Sequence, residues 1–268
     1  MPKNAPAGKP GLHGAVWFET LYKDPNDKTD KTLYALYHNE NYPSTLPYDS
    51  STGVGYLDVN WPQGLRGPET KTAVCRLGIM KSVDGGRSWT NKGVLLEDHQ
   101  PRLILKPHNT GINFAGGVGD PSAVANGDYL YVFFGEYSYP GNYNPSSYDT
   151  AFEWSGQCIS IARIELSNLD HPVGKAKRWD GSGFNMHPYL GDSKNSQDWS
   201  VPRLILNKPG HTIWYPSLQP INTTEDKTKK YTSVNLGKKV RLFFKDMYDD
   251  KSPYLSEYII EFKRADEK

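Results

Sequence analysis

Four carboxylates are placed where this chain could use them for acid–base chemistry: Glu19, Glu40, Asp120 and Glu136. Asp120 is the leading candidate. It follows Gly116-Gly117-Val118-Gly119, a flexible approach, and precedes Pro121, whose ring fixes the next backbone angle. A carboxylate held between glycine and proline at a strand start is set to face a cavity, or else it caps its own turn. Glu40 closes the polar triplet His38-Asn39-Glu40, which ends an apolar strand abruptly, and Glu136-Tyr137 occupies the corresponding place further along. The expectation is that both carboxylates aim at one shared rim. Glu19 shares a strand face with His13, Ala15 and Trp17, because alternate residues point the same way. That face either contacts a ligand or is the solvated side of an edge strand. Paired carboxylates suit hydrolysis of a glycosidic bond. One protonates the leaving oxygen while the other activates water or attacks directly, their pKa values driven apart by environment. His13, His38 and Asn39 would orient the sugar. Trp17, Tyr137, Trp214 and Tyr215 would form its platforms, though each serves equally well as core filler.

The elements that must position these groups are strands. Leu33-Tyr34-Ala35-Leu36-Tyr37-His38-Asn39 aligns with Leu130-Tyr131-Val132-Phe133-Phe134-Gly135-Glu136 and with Val240-Arg241-Leu242-Phe243-Phe244-Lys245-Asp246. Each follows another strand candidate, at 13–19, 120–125 and 214–219, and the last two share Pro-Ser before an apolar residue. Later strands read at 73–80, 93–96, 157–166 and 258–262. The unit is therefore four antiparallel strands, the building block of a propeller blade. With 20 Pro and 25 Gly, helical periodicity is hard to find anywhere. The expected fold is all-β: one β-propeller domain over 1–268, with 1–12 a linker-like N-terminus. Five blades are expected, with an incomplete or six-bladed ring as the variants. Insertions at 41–68 and 138–155 lengthen the repeat, and degenerate blades are expected at 97–114 and 178–206.

The run Ser82-Val83-Asp84-Gly85-Gly86-Arg87-Ser88-Trp89 follows the pattern Ser-x-Asp-x-Gly-x-Ser/Thr-Trp. It resembles the Asp-box, or BNR repeat, of sialidases and related β-propellers. Ser82, Asp84, Gly86 and Trp89 carry the match, and the resemblance implies a structural turn lying away from the active site. Gly119-Asp120-Pro121-Ser122 followed by Gly127-Asp128-Tyr129-Leu130-Tyr131 looks like the strand pair of arabinanase-like five-bladed glycosidases. It also resembles bacterial glycoside-hydrolase-like propellers. That resemblance implies three acting carboxylates from separate blades, with Asp120 in one role and Glu136 or Glu40 as the acid. The characteristic early first-blade Asp is missing, as is the sialidase trio of arginines with a Tyr-Glu pair. The function implied is glycosidic bond hydrolysis. The alternatives are a lectin-like glycan-binding propeller and an interaction scaffold.

Charge and composition narrow the partners. The 268 residues carry 31 Lys+Arg against 30 Asp+Glu, a net charge of +1, which gives no electrostatic case for nucleic acid or an anionic membrane. With 18 Tyr, 7 Trp and 9 Phe in a polar chain, sheets with wet, sugar-contacting faces are expected, and an oligosaccharide is the expected partner. The chain is read as a monomer, or as a homodimer if the propeller is incomplete. No apolar run reaches the ~20 residues a membrane span needs. No cofactor motif or zinc-spaced cysteine pair occurs, so no metal ligands are assigned; a central calcium has no marker. Cys75 and Cys158 read as buried free thiols. No signal core follows Met1, so the compartment is cytoplasmic unless a leader precedes this sequence.

Overall fold

The computed structural model describes residues 12–46, 48–49, 51, 54–56, 73–97, 102–104, 114–137, 158–179, 183–186, 211–221, 239–248 and 252–261. These residues are all-β, with two short 3-10 turns at Pro43–Thr45 and Leu166–Asn168. The first unit is an antiparallel meander of β1 (Ala15–Lys23) and β2 (Leu33–Asn41), followed by the strands at Ala73–Ser82 and Thr90–Leu96. Two short strands intervene, β3 (Tyr48–Asp49) and β4 (Val54–Tyr56), so the later pair are β5 and β6. With β7 (Arg102–Ile104), β3 and β4 form a small separate sheet. The second unit is β8 (Phe114–Asn126), β9 (Tyr129–Glu136), β10 (Cys158–Glu165), β11 (Lys177–Trp179) and β12 (Phe184–Met186). The third is β13 (His211–Pro220), β14 (Lys239–Tyr248) and β15 (Ser252–Glu261).

The three repeats of the sequence are thus three antiparallel units, but their boundaries differ from expectation. Of the segment 178–206, residues 178–179 and 183–186 are described; they end β11 and form β12, which extend the second unit, and the rest of that expected blade lies outside the described residues. The segment 97–114 contributes β7, which joins the small sheet. Residues 1–11, the insertion at 138–155 and much of the 41–68 insertion lie outside the described residues. Among the described residues no sheet closes on itself.

Burial explains how the units stack. In β9, Leu130, Val132 and Phe134 face the first unit and pack with Leu36, Leu77 and Ile79. Tyr131 and Phe133, on the other pleat, face the third unit and pack with Ile213, Leu242 and Phe244. A strand buried on both faces reads as a continuous apolar run, which is why period two is invisible there. Each fully buried Phe contributes roughly 1.5–3 kcal/mol, so the middle sheet binds both neighbours. The first strands lie side by side, with β8 touching β1 on one flank and β13 on the other. Two hydrogen bonds fix that order. Thr20 Oγ1 donates to the Pro121 carbonyl at 3.0 Å, and the Leu218 N–H donates to Ser122 Oγ at 3.2 Å.

One further link joins the first two units. β5 pairs in parallel with the start of β8, through Ala73 with Phe114 and Cys75 with Gly117. Gly117 has φ 91°, and a Cβ there would sit 2.0 Å from the Cys75 carbonyl oxygen. The glycine run before Asp120 therefore serves close backbone approach rather than flexibility.

Candidate functional site

All three first strands are interrupted by a bulge at matching height. Pairing shifts between Phe18 and Thr20 in β1, between Gly119 and Ser122 in β8, and between Trp214 and Ser217 in β13. The residues at these breaks are Glu19, Asp120-Pro121 and Tyr215-Pro216. A bulge re-aims a side chain that regular pleating would send elsewhere. Asp120 and Tyr215 adopt φ 49° and 54°, left-handed values that cost non-glycine residues roughly 1–3 kcal/mol each. The flanking sheets must sustain that strain, and Pro121 and Pro216 fix the backbone immediately after it.

The bulges deliver Glu19, Asp120 and Tyr215 to one place. Single side-chain atoms of Glu19, His38 and Asp120 all lie within 4.8 Å of one another. His38 Nδ1 lies 3.3 Å from Asp120 Oδ1 and accepts the Asp120 backbone N–H at 3.4 Å. The Tyr137 hydroxyl donates to Asp120 Oδ2, and the Tyr42 hydroxyl donates to Glu40 Oε2. Gly119 makes room for the rings: a Cβ there would meet His38 Cε1 at 2.7 Å and Tyr137 Cε2 at 2.8 Å. His38 pairs with Trp17 across the strands, so Trp17, 54% exposed, stands on the same face as the imidazole.

The proton affinities of these groups follow from this proximity. Burial raises the Glu19 carboxyl above 4.5, reinforced by Asp120 and Glu40 and opposed by His38. Burial also raises Tyr215, with further contributions from Asp120, Glu40 and Glu19. Tyr137 is held well above 10.0 by burial and Asp120, and Tyr42 is raised by burial and its bond to Glu40. The buried Cys75 thiol is raised by burial, then by Glu40 and Asp120. Three carboxylates against one imidazole make the site electronegative.

The other expected residues fall elsewhere. Glu136 is buried, ion-paired with Arg178 and accepting the Ser160 hydroxyl at 2.5 Å. The structure does not bring it to the Asp120 group. The third unit repeats the arrangement with buried Asp246 accepting Ser256 Oγ at 3.1 Å. Asn39 donates through Nδ2 to the His13 and Ala15 carbonyls at 2.7 and 3.0 Å, anchoring the entry to β1, and His13 is itself buried ahead of that strand. Trp214 lies in β13, with its side chain outside the described residues. Cys75, expected as a buried free thiol and found as one, and Tyr42, with no expected role, lie beside the site. Cys75 reads as an ordinary core thiol, and Tyr42 opens an insertion with no periodic signal.

The Asp-box forms the β5–β6 hairpin at the other end of β5. Asp84 Oδ1 accepts the Arg87 and Ser88 N–H groups at 2.9 Å, and its Oδ2 accepts the Ser88 hydroxyl at 2.6 Å. Ser82 Oγ accepts the Gly86 N–H at 2.8 Å, and Trp89 packs edge-on against Phe18 at 5.0 Å. Ser82 lies seven residue steps along β5 from Cys75, roughly 23 Å at ~3.3 Å each. The motif is a clasp at the far end of β5 from Cys75, and its Trp89 meets the first strand at Phe18, the chain neighbour of Glu19.

Comparisons with protein-family models, with curated proteins and with solved structures return no match. Chemistry must therefore be read from the side chains. Glu19, His38 and Asp120 are the one group of metal-capable donors among the described residues. Three donors would leave open positions on an ion held there, as an open catalytic metal site does. Among the described residues, no helix is long and apolar enough to cross a membrane.

Proposed function

We propose that the three units are blades of a β-propeller whose axial site hydrolyses glycosidic bonds. The observation that carries the reading is the convergence of Glu19 and Asp120, from different units, on atoms within 4.8 Å of one another. Three supports surround it. The first strands lie side by side, as inner strands of adjacent blades do. The carboxylates differ in setting: Asp120 is nearly enclosed and hydrogen-bonded, while Glu19 is exposed with its carboxyl raised. Two carboxylates in unlike surroundings suit the two roles of acid and base. Trp17 and Tyr215, each more than half exposed, flank the acids as sugar platforms.

The negative site repels anionic ligands, so the substrate is a neutral glycan rather than a sialylated, uronic or phosphorylated one. Catalysis proceeds on side chains alone, and dialysis against a chelator leaves turnover unchanged. The test is a panel of neutral chromogenic glycosides, with Asp120→Asn as control. Asn accepts the left-handed backbone, so the fold survives. Turnover in the parent and loss in the variant is the expected outcome. Turnover surviving in Asp120→Asn removes Asp120 from the chemistry. The exposed Trp17 and Tyr215 also support glycan binding without cleavage. Saturable glycan binding with no turnover selects that second reading.

A further inference from the structure

Glycoside hydrolysis runs in two stereochemical forms, and the carboxylate geometry favours one; the step taken here rests on the hydrolase reading above. We propose that Asp120 is the nucleophile and Glu19 the acid–base partner of a retaining, double-displacement reaction. Retaining enzymes hold their carboxyl groups about 5–5.5 Å apart, whereas inverting ones need about 6.5–9.5 Å to seat water between carboxylate and sugar. One carboxylate oxygen of Glu19 and one of Asp120 lie within 4.8 Å of each other, which places the pair toward the short side of that divide.

The surroundings distribute the roles. Tyr137 occupies Oδ2 of Asp120, leaving Oδ1, beside His38, to form the new bond. The Asp120 side chain is only 11% exposed and sits on a strained bulge, so its direction of approach is fixed. Glu19 is exposed and accepts no side-chain hydrogen bond among the described residues, which leaves it available to exchange protons with leaving group and water.

In the first step, Asp120 Oδ1 bonds to the anomeric carbon as the glycosidic C–O bond breaks, and the Glu19 proton passes to the departing oxygen. In the second, the Glu19 carboxylate takes a proton from water. The water oxygen bonds to the anomeric carbon, and the ester to Asp120 breaks. Both catalysts regain their starting states, and the sugar keeps its anomeric configuration.

The experiment uses the full chain with a panel of dinitrophenyl glycosides of neutral sugars and the matching deoxyfluoro glycosides. NMR of the first-formed product is expected to show the substrate's own anomeric configuration. The deoxyfluoro probe is expected to add one glycosyl mass to the peptide containing Asp120. Asp120→Gly, whose backbone suits φ 49°, should keep the parent Tm and lose turnover, with added azide yielding a glycosyl azide of inverted configuration. Glu19→Ala should slow poor leaving groups by about 10²–10⁴-fold while sparing dinitrophenyl bond cleavage, and azide should there yield a product of retained configuration. An inverted first product, or a label on any other residue, overturns the inference while leaving the hydrolase reading intact. No turnover across the panel removes that reading and the inference with it.

Discussion

Glu136 gives the sharpest separation between a carboxylate that supports the sheet and one that serves chemistry. Its carboxylate is buried against Arg178, whose guanidinium also lies 5.4 Å from the Phe134 ring centroid. Removing one member of a buried ion pair leaves an uncompensated charge and costs about 3–5 kcal/mol, whereas replacing both with apolar groups of similar volume is near neutral or stabilising. In a chain of this size each kcal/mol moves Tm by about 2–4 °C. Glu136→Leu should therefore lower Tm by roughly 6–20 °C. Glu136→Leu with Arg178→Met should recover most of that loss, because Met keeps the packing of the Arg stem on Phe134. Calorimetry on the four proteins of the cycle measures both effects, and turnover is assayed on the same samples. A single variant with unchanged Tm, or a double variant no better than the single, refutes the ion-pair account. A double variant with parental Tm but no turnover would place Glu136 in the chemistry and refute its supporting role.

Gly119→Ala should cost about 1–3 kcal/mol, because its Cβ would sit 2.7 Å from the His38 ring and 2.8 Å from the Tyr137 ring. Turnover should fall with Tm as those rings are displaced from Asp120, and parental values of both would show that the rings have slack. Glu19 binds its proton more tightly in the folded state than its ordinary 4.5, so its contribution favours the fold at low pH and is lost as pH rises through the raised value. Glu19→Gln should accordingly melt above the parent at neutral pH, with the gap closing below pH 4.5; a gap that widens toward acid refutes the burial argument. Asp84 is held below its ordinary 3.8 by hydrogen bonds from Ser88 and Ser82, so its support for the hairpin is present above 3.8 and is lost as pH falls through the depressed value. Asp84→Ala should lower Tm at neutral pH with turnover unchanged, because its bonds stay within the hairpin, and altered turnover would contradict that local role.

The parts of this fold that were legible in the sequence are the local ones. The three aligned strand pairs and the Asp-box hairpin follow from pattern and turn chemistry and form close to where they are expected, but Gly119-Asp120-Pro121, read as the start of a strand, lies at a bulge inside β8 (Phe114–Asn126). Register was harder. Glu40 and Glu136 end comparable strands, yet the polar residue facing the first strand is Asn39 opposite Val16, Glu136 opposite Val118 and Asp246 opposite Ile213. A one-residue difference moves a side chain to the other face of a sheet. Hence Glu40 reaches the Asp120 group and Glu136 does not. The bulges were likewise hidden. Proline marks two of them, but at Glu19 nothing distinguishes a bulge from plain alternation.

Non-local pairing accounts for what remained unread, and it ties the site to the packing of the units. The parallel step between β5 and β8 has no periodic signature, yet it places Cys75 against Gly117 and so Asp120, three residues on, beside His38 of the first unit. The Tyr137 N–H bonds to the Gly117 carbonyl at 2.9 Å, so the ring that holds Asp120 is anchored to the same glycine. Any side chain at Gly117 would drive its Cβ into the Cys75 backbone at 2.0 Å. The two units would separate at that point, and the tyrosine, the aspartate and the imidazole would lose their alignment together. The carboxylate pair is a property of the junction at which β5 and β8 join the first two units into one nine-stranded sheet, and neither unit alone could form it.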